Sequence, residues 1–220
     1  MSEEYEEILR KIEEYRRIIR SVLEAFQSVP FHVIIEVATD NKAEPFDLSA
    51  EEDKQLVDEL KLLADITMRH YNANPINISR PNEVSNFLEK EVPSLFHRNR
   101  SRFSAVTDVK HLGGSGYPDL LVTDSFGRCI YVDIKATQRP DSGSPRDFYI
   151  TPLTETRRKV TSDGKHCALG FVISGEPYNF RTFAWKLVDL YNVNLRMKPE
   201  FNCSNTELYR KEHILAEGHI

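Results

Sequence analysis

The chain has 220 residues, 40% of them hydrophobic, and a formal net charge of −5. That length buries a substantial core within one α/β unit, and no apolar run approaches the ~20 residues of a membrane span. Three widely spaced cysteines without a CxxC pair exclude a disulfide framework and a cysteine zinc site.

Cys129 and Cys167 lie in apolar runs, as buried thiols do. The acidic N-terminus is unlike a signal peptide, so a cytoplasmic protein with no membrane partner is expected. The acidity is uneven. Residues 1–65 hold 17 acidic and 8 basic side chains, whereas residues 66–220 hold 17 and 21. The total argues against indiscriminate electrostatic coating of nucleic acid, but the larger part of the chain is mildly basic.

Three helical segments come first. Residues 3–27 repeat apolar side chains at three- and four-residue spacing, from Tyr5, Ile8 and Ile12 to Phe26. This amphipathic helix ends near Pro30 and can bury its stripe in the core or against a second subunit. Phe31 to Thr39 is apolar and reads as a short strand or an irregular packed segment. A second helix begins at Ser49, where Ser49-Ala50-Glu51-Glu52 has the form of a capping box, and runs to about His70. A third follows Ser79, tolerates Pro81 in its first turn and stops before Pro93.

The periodicity then changes. Phe103 to Val109 is a candidate strand, and His111 to Gly116 form a glycine-rich loop. No Gly-Lys-Ser/Thr follows and the glycines lead into a strand, which excludes a phosphate-binding loop of the nucleotide type. Later segments read as a polar stretch from Thr137 to Asp147, a short helix from Thr154 to Thr161, and a strand from Cys167 to Ile173. Further strands follow within Phe183 to Leu195, and then a mostly irregular tail.

Two stretches carry the chemistry: Gly116-Tyr117-Pro118-Asp119-Leu120-Leu121-Val122 and Ile130-Tyr131-Val132-Asp133-Ile134-Lys135. Strand side chains alternate faces, so Asp133 and Lys135 share one side and Val132 and Ile134 the other. The link from Asp124 to Arg128 has the Asp, Ser and Gly of a tight connection. Folding the strands together can bring Asp119 beside Asp133. Two carboxylates and an ammonium then converge, an arrangement that suits a hard divalent cation.

Pro118-Asp119, thirteen residues, then Asp133-Ile134-Lys135 resembles the signature of the PD-(D/E)xK nucleases, the restriction-endonuclease-like superfamily. The order of helix, strand, hairpin, strand, helix and strand extends the likeness from about Ser79 to Ser174. The resemblance implies an α/β fold: a restriction-endonuclease-like core with a central mixed β-sheet flanked by helices, plus an N-terminal helical extension. One nuclease domain is expected over 1–220, with the extension at 1–78, the catalytic core at 79–175 and C-terminal strands and tail at 176–220. It also implies Mg²⁺ held by Asp119, Asp133 and the Ile134 carbonyl, with Lys135 holding the attacking water and no organic cofactor. Many relatives add an acidic residue from the preceding helix, for which Glu83 is favoured over Glu89 and Glu91. The seven histidines receive no role.

Size and decoration are most similar to a type II restriction endonuclease, a homodimer cutting double-stranded DNA at a short palindrome to leave 5′-phosphates. The alternatives are a repair or junction-processing nuclease and a non-catalytic DNA-binding module. Candidate DNA contacts are Arg98, Arg100 and Arg102 before the core, Arg157 and Arg158 beside Lys159 and Lys165, and Gln138 after the lysine. Arg139, Ser142, Ser144 and Arg146 lie in the polar segment, where an arginine can read guanine edges.

Overall fold

The computed structural model describes residues 3–24, 29–138 and 158–196, with isolated positions between 204 and 216. The chain comprises two compact units, Val29–Asn194 and a unit formed by Met1–Ser28 with Leu195–Ile220. Helix α1 (Glu3–Glu24) belongs to the smaller unit. The larger contains β1 (Val29–Pro30), α2 (Phe31–Thr39), β2 (Ala43–Glu44), α3 (Glu51–Ala73) and α4 (Val84–Arg98). These are followed by β3 (Val106–His111), β4 (Leu120–Asp124), β5 (Cys129–Thr137), β6 (Gly164–Ser174) and β7 (Arg181–Asp189); β8 (Asn194–Leu195) comes last.

The central sheet is mixed, in the order β2-β6-β5-β4-β3, with β7 also paired to β6. β3, β4 and β5 form an antiparallel meander, β5 and β6 run parallel, and β7 returns antiparallel. The α/β class and the helix-flanked mixed sheet are those expected. Alternation along β5 decides what each face meets. Val132 and Ile134 join Leu169 and Phe171 of β6, Leu60 and Leu63 of α3, and Leu88 and Phe96 of α4 in one core. On the other face Tyr131 stacks on His166 with centroids 4.9 Å apart, and Phe31 of α2 lies 5.5 Å from Tyr117. Among the described residues, no helix is long and apolar enough to cross a membrane.

The turn of the β4–β5 hairpin is pinned by charge. Asp124 accepts the N–H groups of Phe126 and Arg128 at 3.0 and 2.8 Å, and its other oxygen pairs with Arg128 Nε at 2.6 Å. Arg128 Nη1 and Lys165 Nζ then meet the buried Asp53 of α3 at 2.6 and 2.8 Å. The N-terminal ends of α3 and β6 are thereby fastened to the turn.

Four local expectations are corrected. Phe31–Thr39 is a helix: it buries Phe31, Ile35 and Thr39, four residues apart, and leaves Val33 and Val37 exposed. The capping box at Ser49 does not form, because the Ser49 hydroxyl donates to Asp47 at 2.6 Å and the helix begins after Ala50. The third helix runs through Pro93 to Arg98. Proline there removes only the hydrogen bond that the Glu89 carbonyl would accept, and the burial of Val92, Leu95 and Phe96 around it holds the helix. The first meander strand begins at Val106 instead of Phe103, since Arg100–Arg102 form a 3-10 turn. The helix expected from Thr154 falls mostly outside the described residues, and Arg158–Thr161 are not helical.

Candidate active site

Register sets the site. Leu120 pairs with Val132, so the residue before β4, Asp119, stands across from Asp133. The Asp119 N–H donates to the Val132 carbonyl at 3.2 Å, and the Ile134 N–H donates to Asp119 Oδ2 at 2.7 Å. Asp133 is 3% exposed, and the Lys135 ammonium pairs with its Oδ2. The hairpin thus brings Asp119, Asp133 and Lys135 together at the end of β4 and β5 that lies away from the turn.

These carboxylates are held where their charge is costly. Burial pushes Asp119 above its ordinary pKa, against the Ile134 N–H and the Lys135 charge, which act to lower it. Burial and then the Asp119 charge raise Asp133. The buried Asp133 Oδ2 accepts no well-aligned hydrogen bond, although Lys135 offsets its charge. Two carboxylates held at the end of one hairpin, with a single ammonium against them, fit a hard divalent cation. Among the described residues, no three His, Cys, Asp or Glu side chains already stand as a closed metal cage.

A cleft of about 440 Å³ opens beside Asp119, lined by Asn86, Glu89, Lys90, His111 and the loop residues Gly114–Gly116. Glu89 enters from α4 with 18% of its side chain exposed, and the His111 imidazole is 3.7 Å from it. Burial, then the Asp119 charge, push Glu89 up to about 7. Burial lowers His111. Glu83 precedes α4 in the 3-10 turn and is not among the residues lining the cleft. Glu91 faces elsewhere, accepting the Tyr71 hydroxyl at 2.9 Å.

Glu89 had a readable signal. It lies three, four and seven residues before the buried Val92, Pro93 and Phe96, inside the apolar stripe instead of on its flank. A carboxylate within a buried stripe is the more informative kind of charge. His111, at the end of an edge strand, had no such signal.

The expected DNA contacts separate. Arg98, Arg100 and Arg102 are exposed at the C-terminal end of α4 and just beyond it. They sit toward the Val106–Asp124 end of the meander, roughly 15 Å along the strands from Asp119. The Arg100 guanidinium donates to the Phe103 carbonyl at 2.6 Å and lies over the Phe96 ring. Gln138 is exposed just beyond the Lys135 end of β5. Arg158 pairs with Asp40 at 3.3 Å, whereas Lys159 and Lys165 are buried. Arg139, Ser142, Ser144, Arg146 and Arg157 lie outside the described residues.

A model of the Type II restriction enzyme MjaV family matches residues 24–212. The chain belongs to that family. The curated type II restriction enzyme MjaV of Methanocaldococcus jannaschii is 28% identical over 219 residues, covering 93% of this chain and 95% of the relative. No solved structure matches the chain. The MjaV family match takes in the whole central sheet and every residue of the hairpin site, while nearly all of α1 precedes it.

Proposed function

We propose that this member of the MjaV family is a Mg²⁺-dependent endonuclease of the PD-(D/E)xK type. It hydrolyses double-stranded DNA at a short palindromic site and leaves 5′-phosphates. The observation that carries this reading is the register of the hairpin, which sets Asp119 across from Asp133 with Lys135 paired beside them. Family membership supports a site-specific deoxyribonuclease acting on DNA.

Asp119 and Asp133 are the carboxylate ligands. The Ile134 carbonyl is a third oxygen, because a strand residue directs its N–H and C=O to the same edge and the Ile134 N–H points at Asp119. Glu89 is the acidic group supplied by the helix. When bound, the cation neutralises the phosphate, acidifies a water and supports the leaving 3′ oxygen. Lys135 holds the attacking water in line with the phosphorus and donates to a phosphate oxygen as charge develops there. Its ion pair with Asp133 keeps the ammonium fixed at the hairpin end.

A palindrome calls for two-fold protein symmetry. Helix α1 leaves Ile8, Ile12, Tyr15 and Ile19 exposed, spaced four, three and four apart as in a coiled-coil seam. Its first half, Glu3–Glu14, carries six acidic and two basic residues; Tyr15–Glu24 carries three basic and one acidic. The partner that fits is the α1 of a second copy lying antiparallel, acidic half against basic half. The whole chain then works as one nuclease domain with a dimerising helix.

Digestion of long unmethylated duplex DNA with Mg²⁺, followed by sequencing of the ends, tests the reading. Discrete fragments ending in 5′-phosphates at one short palindrome, lost in EDTA and in Asp119→Ala, are expected. Random nicking lost in both controls would replace restriction by repair or processing. Cleavage that survives Asp119→Ala would remove the hairpin from the mechanism.

A further inference from the structure

The sequence sets Lys159 among surface cations, yet it is 6% exposed. Its ammonium donates to three backbone carbonyls of one loop: Gly114 at 3.0 Å, Gly116 at 2.7 Å and Pro118 at 2.9 Å. An ammonium has three N–H donors, and each carbonyl can take one. The accepting residues alternate along the chain, and Gly113, Gly114 and Gly116 adopt positive φ of 57°, 74° and 83°. Side-chain-bearing residues resist that backbone, so the glycines let alternate carbonyls turn inward onto one cation. The loop ends at Pro118, and the next residue is Asp119.

Burying an ammonium is costly unless its donors are met. Three carbonyl dipoles meet them here, and the geometry they impose falls on the segment that delivers Asp119. The segment has a second anchor in the Tyr117 hydroxyl, 2.8 Å from His166 Nδ1. Tyr117 ties the loop to β6 from below, while Lys159 gathers its carbonyls. The positive charge of Lys159 is also felt at Asp119, Glu89 and His111.

We propose that Lys159 is a positioning residue: by clamping the 114–118 carbonyls it fixes Asp119 at the separation from Asp133 that a divalent cation needs. The proposal rests on the reading of Asp119 and Asp133 as metal ligands. It assigns Lys159 no contact with DNA and no part in proton transfer.

The test is calorimetric titration of the full-length protein with Mn²⁺, alongside cleavage measured across a Mg²⁺ series. The variants are Lys159→Met, Lys159→Gln and Asp119→Ala. Lys159→Met is expected to weaken Mn²⁺ binding roughly tenfold or more, the usual scale for groups that orient metal ligands, and to raise half-saturating Mg²⁺ equally. Excess Mg²⁺ should recover much of the rate. A purely structural lysine would lower the melting temperature and leave metal binding by the folded fraction unchanged, which would overturn the proposal.

If Lys159→Met fails to fold, Gly114→Ala decides. A Cβ there meets nothing within 4 Å, so only the φ of 74° is strained. Weaker Mn²⁺ binding with Lys159 intact supports the clamp, and wild-type binding rejects it. Asp119→Ala separates the two layers. If it binds Mn²⁺ and cleaves normally, the metal site itself is misassigned. If it is dead while Lys159→Met saturates like wild type, only the clamp fails.

Discussion

Asp119 Oδ2 accepts the Ile134 backbone N–H at 2.7 Å, so the first carboxylate of the hairpin is bonded to the strand that carries the second. The Asp119 main chain is held independently, through its N–H donated to the Val132 carbonyl at 3.2 Å.

Loss of either carboxylate should therefore affect chemistry far more than folding. Asp119→Asn, Asp133→Asn and Lys135→Met are expected to lower the cleavage rate by a hundredfold to a thousandfold or more, on the order seen when a charge-stabilising group is removed. Asp119→Asn also relieves repulsion between Asp119 and the buried Asp133. In EDTA its melting temperature should equal or exceed that of wild type, and the stabilisation conferred by added Mg²⁺ should shrink. A large drop in melting temperature would show that the pair is structural.

Glu89 gives the metal-free protein a distinctive response to pH. Burial first, and the Asp119 charge second, raise it from 4.5 to about 7. The folded protein then keeps a proton that the unfolded chain releases. The stability this group contributes is fully present below pH 4.5 and is lost as pH rises to about 7. Melting temperatures in EDTA at pH 5 and pH 7.5 should fall along that path, and Glu89→Gln should flatten the slope. An unchanged slope would assign it to Asp133 and Asp119.

Asp53 behaves in the opposite sense. Burial raises its pKa, but hydrogen bonds from Lys165, the Asp47 N–H and Arg128 outweigh that and hold the carboxyl below 3.8. Its stabilisation is present above pH 3.8 and is lost only as pH falls below it. Asp53→Ala leaves the buried Lys165 without its carboxylate and should cost roughly 3–5 kcal/mol, read from the denaturant midpoint. Metal affinity of the folded variant should not change, because Asp53 pins the turn and not the carboxylate end.

The α1 seam predicts the state of assembly. Ile12→Glu with Ile19→Glu places charge in the stripe and should give monomers by sedimentation at concentrations where the wild-type chain is dimeric. Mn²⁺ binding per chain should persist, while coordinated cutting of both strands should give way to nicking. Dimers that survive the double substitution would move the interface to another surface.

The site was more legible in the sequence than the helices around it. Asp133 and Lys135 are two residues apart on a strand whose alternate members are apolar, and that pattern sets both on one face. Phe31–Thr39 misled because Val33 and Val37 are apolar yet exposed, so the four-residue spacing of Phe31, Ile35 and Thr39 was hidden. Pro93 misled because its local cost is outweighed by burial of its neighbours, a tertiary effect invisible in the segment alone. Lys159 was unreadable for a different reason. Its partners are backbone carbonyls some 40 residues earlier, and a carbonyl leaves no mark in a sequence.

The ionic cluster at the hairpin turn has a kinetic consequence. Asp124, Arg128, Asp53 and Lys165 hold one end of β4 and β5 to α3 and β6, while the opposite end tolerates two like charges side by side. Parting the turn would strip buried carboxylates of their cations, whereas parting the other end relieves a repulsion. Local opening of the hairpin therefore starts beside Asp119 and travels toward the turn, and amide exchange should slow along β4 and β5 in that order.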